Sequence, residues 1–119
     1  MIAGIGVDIV DLDRFSRAIA RTPRLLHRLF AESEQELLPH SLAARFAAKE
    51  ALIKALGGSA HMRWTDMEVV TDQDGNPEFR LHGPASELIE SRRVARIHLS
   101  ITHDAGVACA FVVIEKTEK

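Results

Sequence analysis

Two carboxylates and one ammonium stand where their chemistry can converge. Asp8 lies late in the apolar stretch IAGIGVDIV, and Glu50 and Lys54 lie in RFAAKEALIKAL, residues 45–56. At about 100° per residue, Ala43, Phe46, Ala47, Glu50, Ala51, Ile53 and Lys54 share one broad helix face, with Glu50 and Lys54 near its middle. Glu followed four positions later by Lys is ordinarily a solvated surface pair, contributing about 0.2–0.5 kcal/mol to a helix. The apolar neighbours argue for another role, because charges withdrawn from water need partners. Arg45 and Lys49 carry charge on another side of the same helix, beside Leu52 and Leu56, so the helix has no clean solvent face. The partners of Glu50 and Lys54 are therefore each other, a metal, or a bound phosphate.

Oxygen ligands with no imidazole or thiolate cluster suit Mg²⁺, which one or two carboxylates hold while water and substrate phosphates fill its other positions. Lys54 would face the same centre, and phosphate oxygens between ammonium and metal would satisfy both. Burial of the three charges as plain ion pairs is the alternative. The six histidines show no ligand spacing, which argues against zinc. His103 ends an apolar row of Ile97, Leu99 and Ile101 next to a turn. It is either an ordinary capping residue or an anion contact helped by Ser100 and Thr102. GxxxxGK[ST], HExxH, CxxC and GxSxG do not occur, and GIG at 4–6 lacks the third glycine of a dinucleotide fingerprint.

These residues need elements to position them. Residues 2–10 alternate as a strand, with Ile5, Val7 and Ile9 on one side and Gly4, Gly6 and Asp8 on the other. The glycines would let another backbone or a ligand come close beside Asp8. Asp11 can cap a helix from Leu12. Helical pieces follow at about 23–30, 33–38 and 41–56, the last stopped by Gly57 and Gly58. Strands at 67–72 and 77–82 flank the turn DQDGNP. GPASELIESRR is a helix with Pro84 near its start, and RIHLSITH and GVACAFVVIE form a hairpin around Asp104, Ala105 and Gly106. Helices early and antiparallel strands late predict an α+β fold, a curved antiparallel sheet with helices packed on one face. One domain over 1–119 is expected.

The composition is globular, 46% hydrophobic and 27% charged. A single cysteine, Cys109, excludes an internal disulfide framework and reads as a small core residue. No apolar run approaches about 20 residues, and MIAGIGVD lacks the features of a signal peptide, so a soluble cytoplasmic protein is expected. A net charge of −2 argues against a nucleic-acid binder. Arginines 14, 17, 21, 24 and 28 nevertheless form a stripe with no intervening acid. Thr22 and Pro23 look like an N-cap and first helical residue, which would divide the stripe into two short basic faces. The stripe is either a solvated face or a docking surface for an acidic partner.

IGVD followed by FAAKEALIK resembles the signature pair of the 4′-phosphopantetheinyl transferases. The chain length, DGNP and SITHD match the small bacterial holo-acyl-carrier-protein synthase branch of that family, over nearly the whole chain. The resemblance implies transfer of phosphopantetheine from coenzyme A to a serine of an apo-acyl carrier protein, releasing adenosine 3′,5′-bisphosphate. It implies that Asp8 and Glu50 hold Mg²⁺ with the coenzyme A pyrophosphate, and that Lys54 contacts phosphate and stabilises charge. The serine proton would pass to Glu50, to neutral Lys54 or to a metal-held water. Lysine is the least suited, because neighbouring phosphates favour its charged form. The family also implies a homotrimer with active sites between protomers. Asp8, Glu50 and Lys54 would come from one subunit, and the SITH strand and GNP turn from its neighbour. Arg45 and His103 would then help bind coenzyme A phosphates, and Pro77 would line the adenosine side. Arg14, Arg21 and Arg24 are candidates for docking the acidic carrier, Arg14 foremost because it closely follows the Asp8 strand.

This sequence departs from the family in places. The stretch between Asp8 and Glu50 is short, in ELLPHSL; Thr102 stands where serine is common; and GGSAH varies the Gly-rich helix stop. Three other readings compete: a non-catalytic coenzyme A or nucleotide-binding module, a Mg²⁺-dependent phosphohydrolase, and a structural oligomer with buried ion pairs.

Overall fold

The structure is a computed structural model that describes residues 1–58 and 62–118. Strand β1 (Ile2–Asp11) leads into α1 (Leu12–Arg21) and α2 (Arg24–Leu29), and the long helix α3 (Pro39–Ala55) follows. A hairpin of β2 (Met67–Thr71) and β3 (Pro77–Leu81) comes next, then α4 (Gly83–Ser91) and a second hairpin of β4 (Val94–Asp104) and β5 (Val107–Lys116). The strands divide into an antiparallel sheet ordered β1-β5-β4 and a separate two-stranded sheet of β2 and β3.

The register explains why α3 lies where it does. Gly4 pairs with Ile114, Gly6 with Val112 and Asp8 with Ala110, and β5 carries the rows on to Ile97, Leu99 and Ile101 of β4. Alternation puts these rows on one face, and α3 covers it. Ala43, Ala47, Ala51 and Ala55, spaced one helical turn apart, are all buried. A Cβ on Gly6 would sit 1.9 Å from the Ala51 carbonyl oxygen, and one on Gly4 would sit 2.0 Å from that of Ala55. The glycines therefore admit a helix backbone. Small residues on both elements allow contact too close for any side chain between them. Larger core residues flank this seam. Leu52 is fully buried, and such a side chain contributes about 1.5–3 kcal/mol by leaving water. The opposite sheet face stays open, with Ile5, Val7 and Ile9 at 58%, 52% and 63% exposure and Phe111 at 46%.

Local signals end the elements as expected. The Asp11 carboxylate accepts the Arg14 N–H at 2.8 Å and caps α1. Gly57 at φ +82° stops α3, with the Gly58 N–H bonded to the Ile53 carbonyl. Ala105 and Gly106, both at positive φ, turn β4 into β5.

Several expectations need correction. The helix foreseen at 33–38 is a single 3₁₀ turn, Glu32–Glu34. The Glu34 carboxylate accepts the Ala31 N–H and tightens the turn, and Pro39 keeps Leu38 out of helical geometry. Pro23, not Thr22, occupies the N-cap of α2, without a side-chain cap. The arginine stripe does divide there, and all five arginines are exposed. Cys109 is half-buried on the open sheet face, in register with Ile9 and Thr102, and does not join the core under α3. Ser59, Ala60 and His61 of GGSAH lie outside the described residues. No described helix is long and apolar enough to cross a membrane.

Candidate active site

β1 supplies Asp8, and α3 supplies Glu50 and Lys54. The glycine–alanine seam brings the two elements together, and the three side chains meet at its end. Lys54 Nζ donates to Asp8 Oδ1 at 2.9 Å and to the Val7 carbonyl at 3.1 Å. Glu50 makes no hydrogen bond or ion pair among the described residues. Partial burial pushes its carboxyl above the usual glutamate range, the Asp8 carboxylate adds to this, and Lys54 opposes it. The hydrogen bond to Asp8, followed by the Asp8 charge itself, holds Lys54 more firmly protonated than a free lysine.

All three line an open cleft of about 580 Å³. The rest of its lining is largely apolar and aromatic. Phe15, Phe46 and Trp64 form a row with ring centroids 5.4 and 5.2 Å apart, and Leu25 and Leu29 of α2 continue it. Arg14 stands at the rim. Two like charges at one end, one lacking a partner, suit a divalent cation. No group of three or more His, Cys, Asp or Glu able to hold a metal occurs among the described residues. Two carboxylates fit Mg²⁺, which takes its remaining ligands from water and phosphate, and do not fit zinc.

The other anticipated residues lie elsewhere in the protomer. Arg45, on the opposite side of α3, donates from Nε to the Val69 carbonyl at 3.2 Å and lies 3.9 Å from Glu34. Pro77 begins β3 opposite Thr71. His103 is exposed near the end of β4, with β5 between it and β1. Arg21 and Arg24 flank the break between α1 and α2, outside the cleft lining.

Sequence reasoning missed the cluster beneath the cleft. Lys49, expected to carry charge on a second side of α3, is fully buried. Its Nζ donates to Glu34 Oε1 and the Leu29 carbonyl, both at 2.7 Å, and to the Trp64 carbonyl at 3.2 Å. Glu34 also accepts the Val69 N–H at 3.1 Å. Nearby, Glu68 is buried and bonded to Ser33 and His82. A charged residue in a helix without a solvent face was the available signal. Glu34 was hidden by the helix expected around it.

A profile of the 4′-phosphopantetheinyl transferase superfamily matches residues 4–112. The chain belongs to that superfamily. The holo-[acyl-carrier-protein] synthase of Leifsonia xyli subsp. xyli is 60% identical over 116 residues, covering 98% of each chain. The crystal structure of the Neisseria meningitidis holo-[acyl-carrier-protein] synthase matches with a TM-score of 0.87 and 36% identity, over 98% of this chain and 100% of that one. The Helicobacter pylori synthase in complex with coenzyme A matches with a TM-score of 0.83 and 31% identity, over 93% of this chain and 99% of that one. Superfamily membership meets the expectation drawn from IGVD and FAAKEALIK, and the α+β fold with helices on one sheet face is the fold of these structures.

Proposed function

We propose that this chain is a holo-acyl-carrier-protein synthase. It transfers 4′-phosphopantetheine from coenzyme A to a serine of an apo-acyl carrier protein and releases adenosine 3′,5′-bisphosphate. The observation that carries this reading is the convergence of Asp8, Glu50 and Lys54 at one end of a cleft whose rim is Arg14. Likeness to synthases whose crystal structures include a coenzyme A complex supports the choice of donor.

Asp8 and Glu50 would hold Mg²⁺, which would supply charge neutralisation at the pyrophosphate. Lys54 remains charged and positions the same phosphates. Held protonated by Asp8, it is a poor acceptor for the serine proton. Glu50 or a water beside it is the better base. Arg14, with Arg21 and Arg24, would present positive charge to an acidic carrier.

The working unit would be a homotrimer, with the whole 119-residue chain as one domain acting in the cytoplasm. The open apolar sheet face of Ile5, Val7, Ile9 and Phe111 supports association, because large exposed apolar patches mark contact surfaces. The distance of Arg45, Pro77 and His103 from the cleft of their own protomer is consistent with a site completed by a neighbour. In that site Arg45 and His103 would meet coenzyme A phosphates, and Pro77 the adenosine.

The test is release of adenosine 3′,5′-bisphosphate from coenzyme A, followed by chromatography. Release that needs both Mg²⁺ and an apo-carrier supports transfer. Release without a carrier would point to a phosphohydrolase, and binding without release to a non-catalytic module.

A further inference from the structure

The transfer chemistry makes no use of Lys49, the residue before Glu50, yet its side chain is the most completely enclosed charge among the described residues. It has 0% exposure, and its partner Glu34 has 1%. An ammonium has three N–H donors, and all three are engaged, by Glu34, Leu29 and Trp64. Its charge also lies 4.9 Å from the centre of the Phe30 ring. The two carbonyl partners matter most. Leu29 ends α2, where helix carbonyls lack intrahelical partners, and Trp64 opens the 3₁₀ turn Trp64–Asp66. Both residues line the cleft that Glu50 and Lys54 also line. One side chain therefore ties two separate wall segments to the helix that carries the site. Glu34 anchors the assembly, accepting the Ala31 and Val69 N–H groups as well as Lys49.

A buried ion pair is weak support for stability, because desolvation offsets most of its attraction. Its specific product here is geometry. We infer that Lys49 is a positioning residue: through the Leu29 and Trp64 carbonyls it sets the placement of the apolar lining of the cleft that Glu50 and Lys54 share, and so the alignment of substrates there. The inference rests on the transferase reading, but its structural part can be read without turnover. Trp64 is the only tryptophan, so its fluorescence reports the wall directly.

The experiment compares the parent with Lys49→Met, and with Lys49→Met/Glu34→Leu, which removes both charges should the single variant not fold. Each is confirmed folded by circular dichroism. Acrylamide quenching of Trp64 is then measured beside transfer kinetics with coenzyme A, Mg²⁺ and an apo-carrier. Trp64 should become more accessible to quencher, and kcat should fall about 10- to 100-fold, the penalty of a displacement near 1 Å. KM for coenzyme A should stay within about threefold in Lys49→Met, because Asp8, Glu50, Lys54 and the Arg45–Glu34 pair are untouched. Parent-like quenching, unchanged kcat in a folded variant, or failure of both variants to fold would each overturn the positioning role. A parent that transfers nothing removes the transferase reading instead, while quenching still decides whether Lys49 holds the wall.

Discussion

Two lysine–carboxylate pairs sit on α3, with nearly equal lengths and opposite surroundings. Lys49–Glu34 is 2.7 Å long with side chains 0% and 1% exposed, and Lys54–Asp8 is 2.9 Å long with side chains 54% and 16% exposed. In the first, every ammonium hydrogen has a protein acceptor. In the second, the lysine opens to a cleft and a further carboxylate, Glu50, stands near it without a partner among the described residues. Complete satisfaction fixes a structure. Incomplete satisfaction beside open space leaves room for a ligand. Pair length does not separate a structural pair from a functional one; unused hydrogen-bonding capacity does.

The contrast breaks most visibly at Glu50. Glu50→Gln should reduce transfer by about three orders of magnitude or more, roughly 4 kcal/mol of transition-state stabilisation, with the fold intact by circular dichroism. Full activity would remove Glu50 from both metal and base roles. Next comes stability. Glu34→Ala strands a buried ammonium and should cost about 3–5 kcal/mol in a urea titration. Asp8→Ala should shift the unfolding midpoint far less, since Lys54 is solvated. Equal losses would erase the distinction between the pairs. Gly6→Ala drives a methyl into the Ala51 carbonyl, and should destabilise by about 3 kcal/mol while separating Asp8 from Glu50. Calorimetry would check the first effect and Mg²⁺-dependent transfer the second.

Smaller effects sharpen the picture at the surface. Arg14→Glu should weaken binding of the carrier about tenfold while leaving coenzyme A binding nearly unchanged, and added salt should narrow the difference. Equal losses for both ligands, by calorimetric titration, would refute a docking role. The smallest effect is a pH dependence. Because Glu50 is raised in the folded protein, its ionisation opposes folding as pH climbs from the ordinary glutamate value to its own. Without metal, Glu50→Gln should therefore melt at or above the parent at neutral pH, with the gain disappearing near pH 4, about the unperturbed value. A lower melting temperature at neutral pH would contradict the assigned strain.

Asp8, Glu50 and Lys54 were legible because each lies on a periodic element. Strand alternation put Asp8 on the glycine side, helix angle put Glu50 and Lys54 together, and the glycines beside Asp8 announced a close approach. Lys49–Glu34 was not legible. It joins a helix to a non-periodic turn 15 residues away, and neither period nor propensity encodes such a contact. Cys109 was misplaced for a related reason: VACAFVVI is apolar at nearly every position, so its pattern does not say which side meets α3. The division into two sheets depends on pairing partners, which single-strand patterns do not reveal.

The most direct measurement is the intact mass of an apo-acyl carrier protein after incubation with this protein, coenzyme A and Mg²⁺. The predicted result is a carrier heavier by one phosphopantetheine group, with the gain abolished by EDTA or by Asp8→Ala. A carrier of unchanged mass, across carriers from more than one synthase type and with coenzyme A bound, would contradict the account.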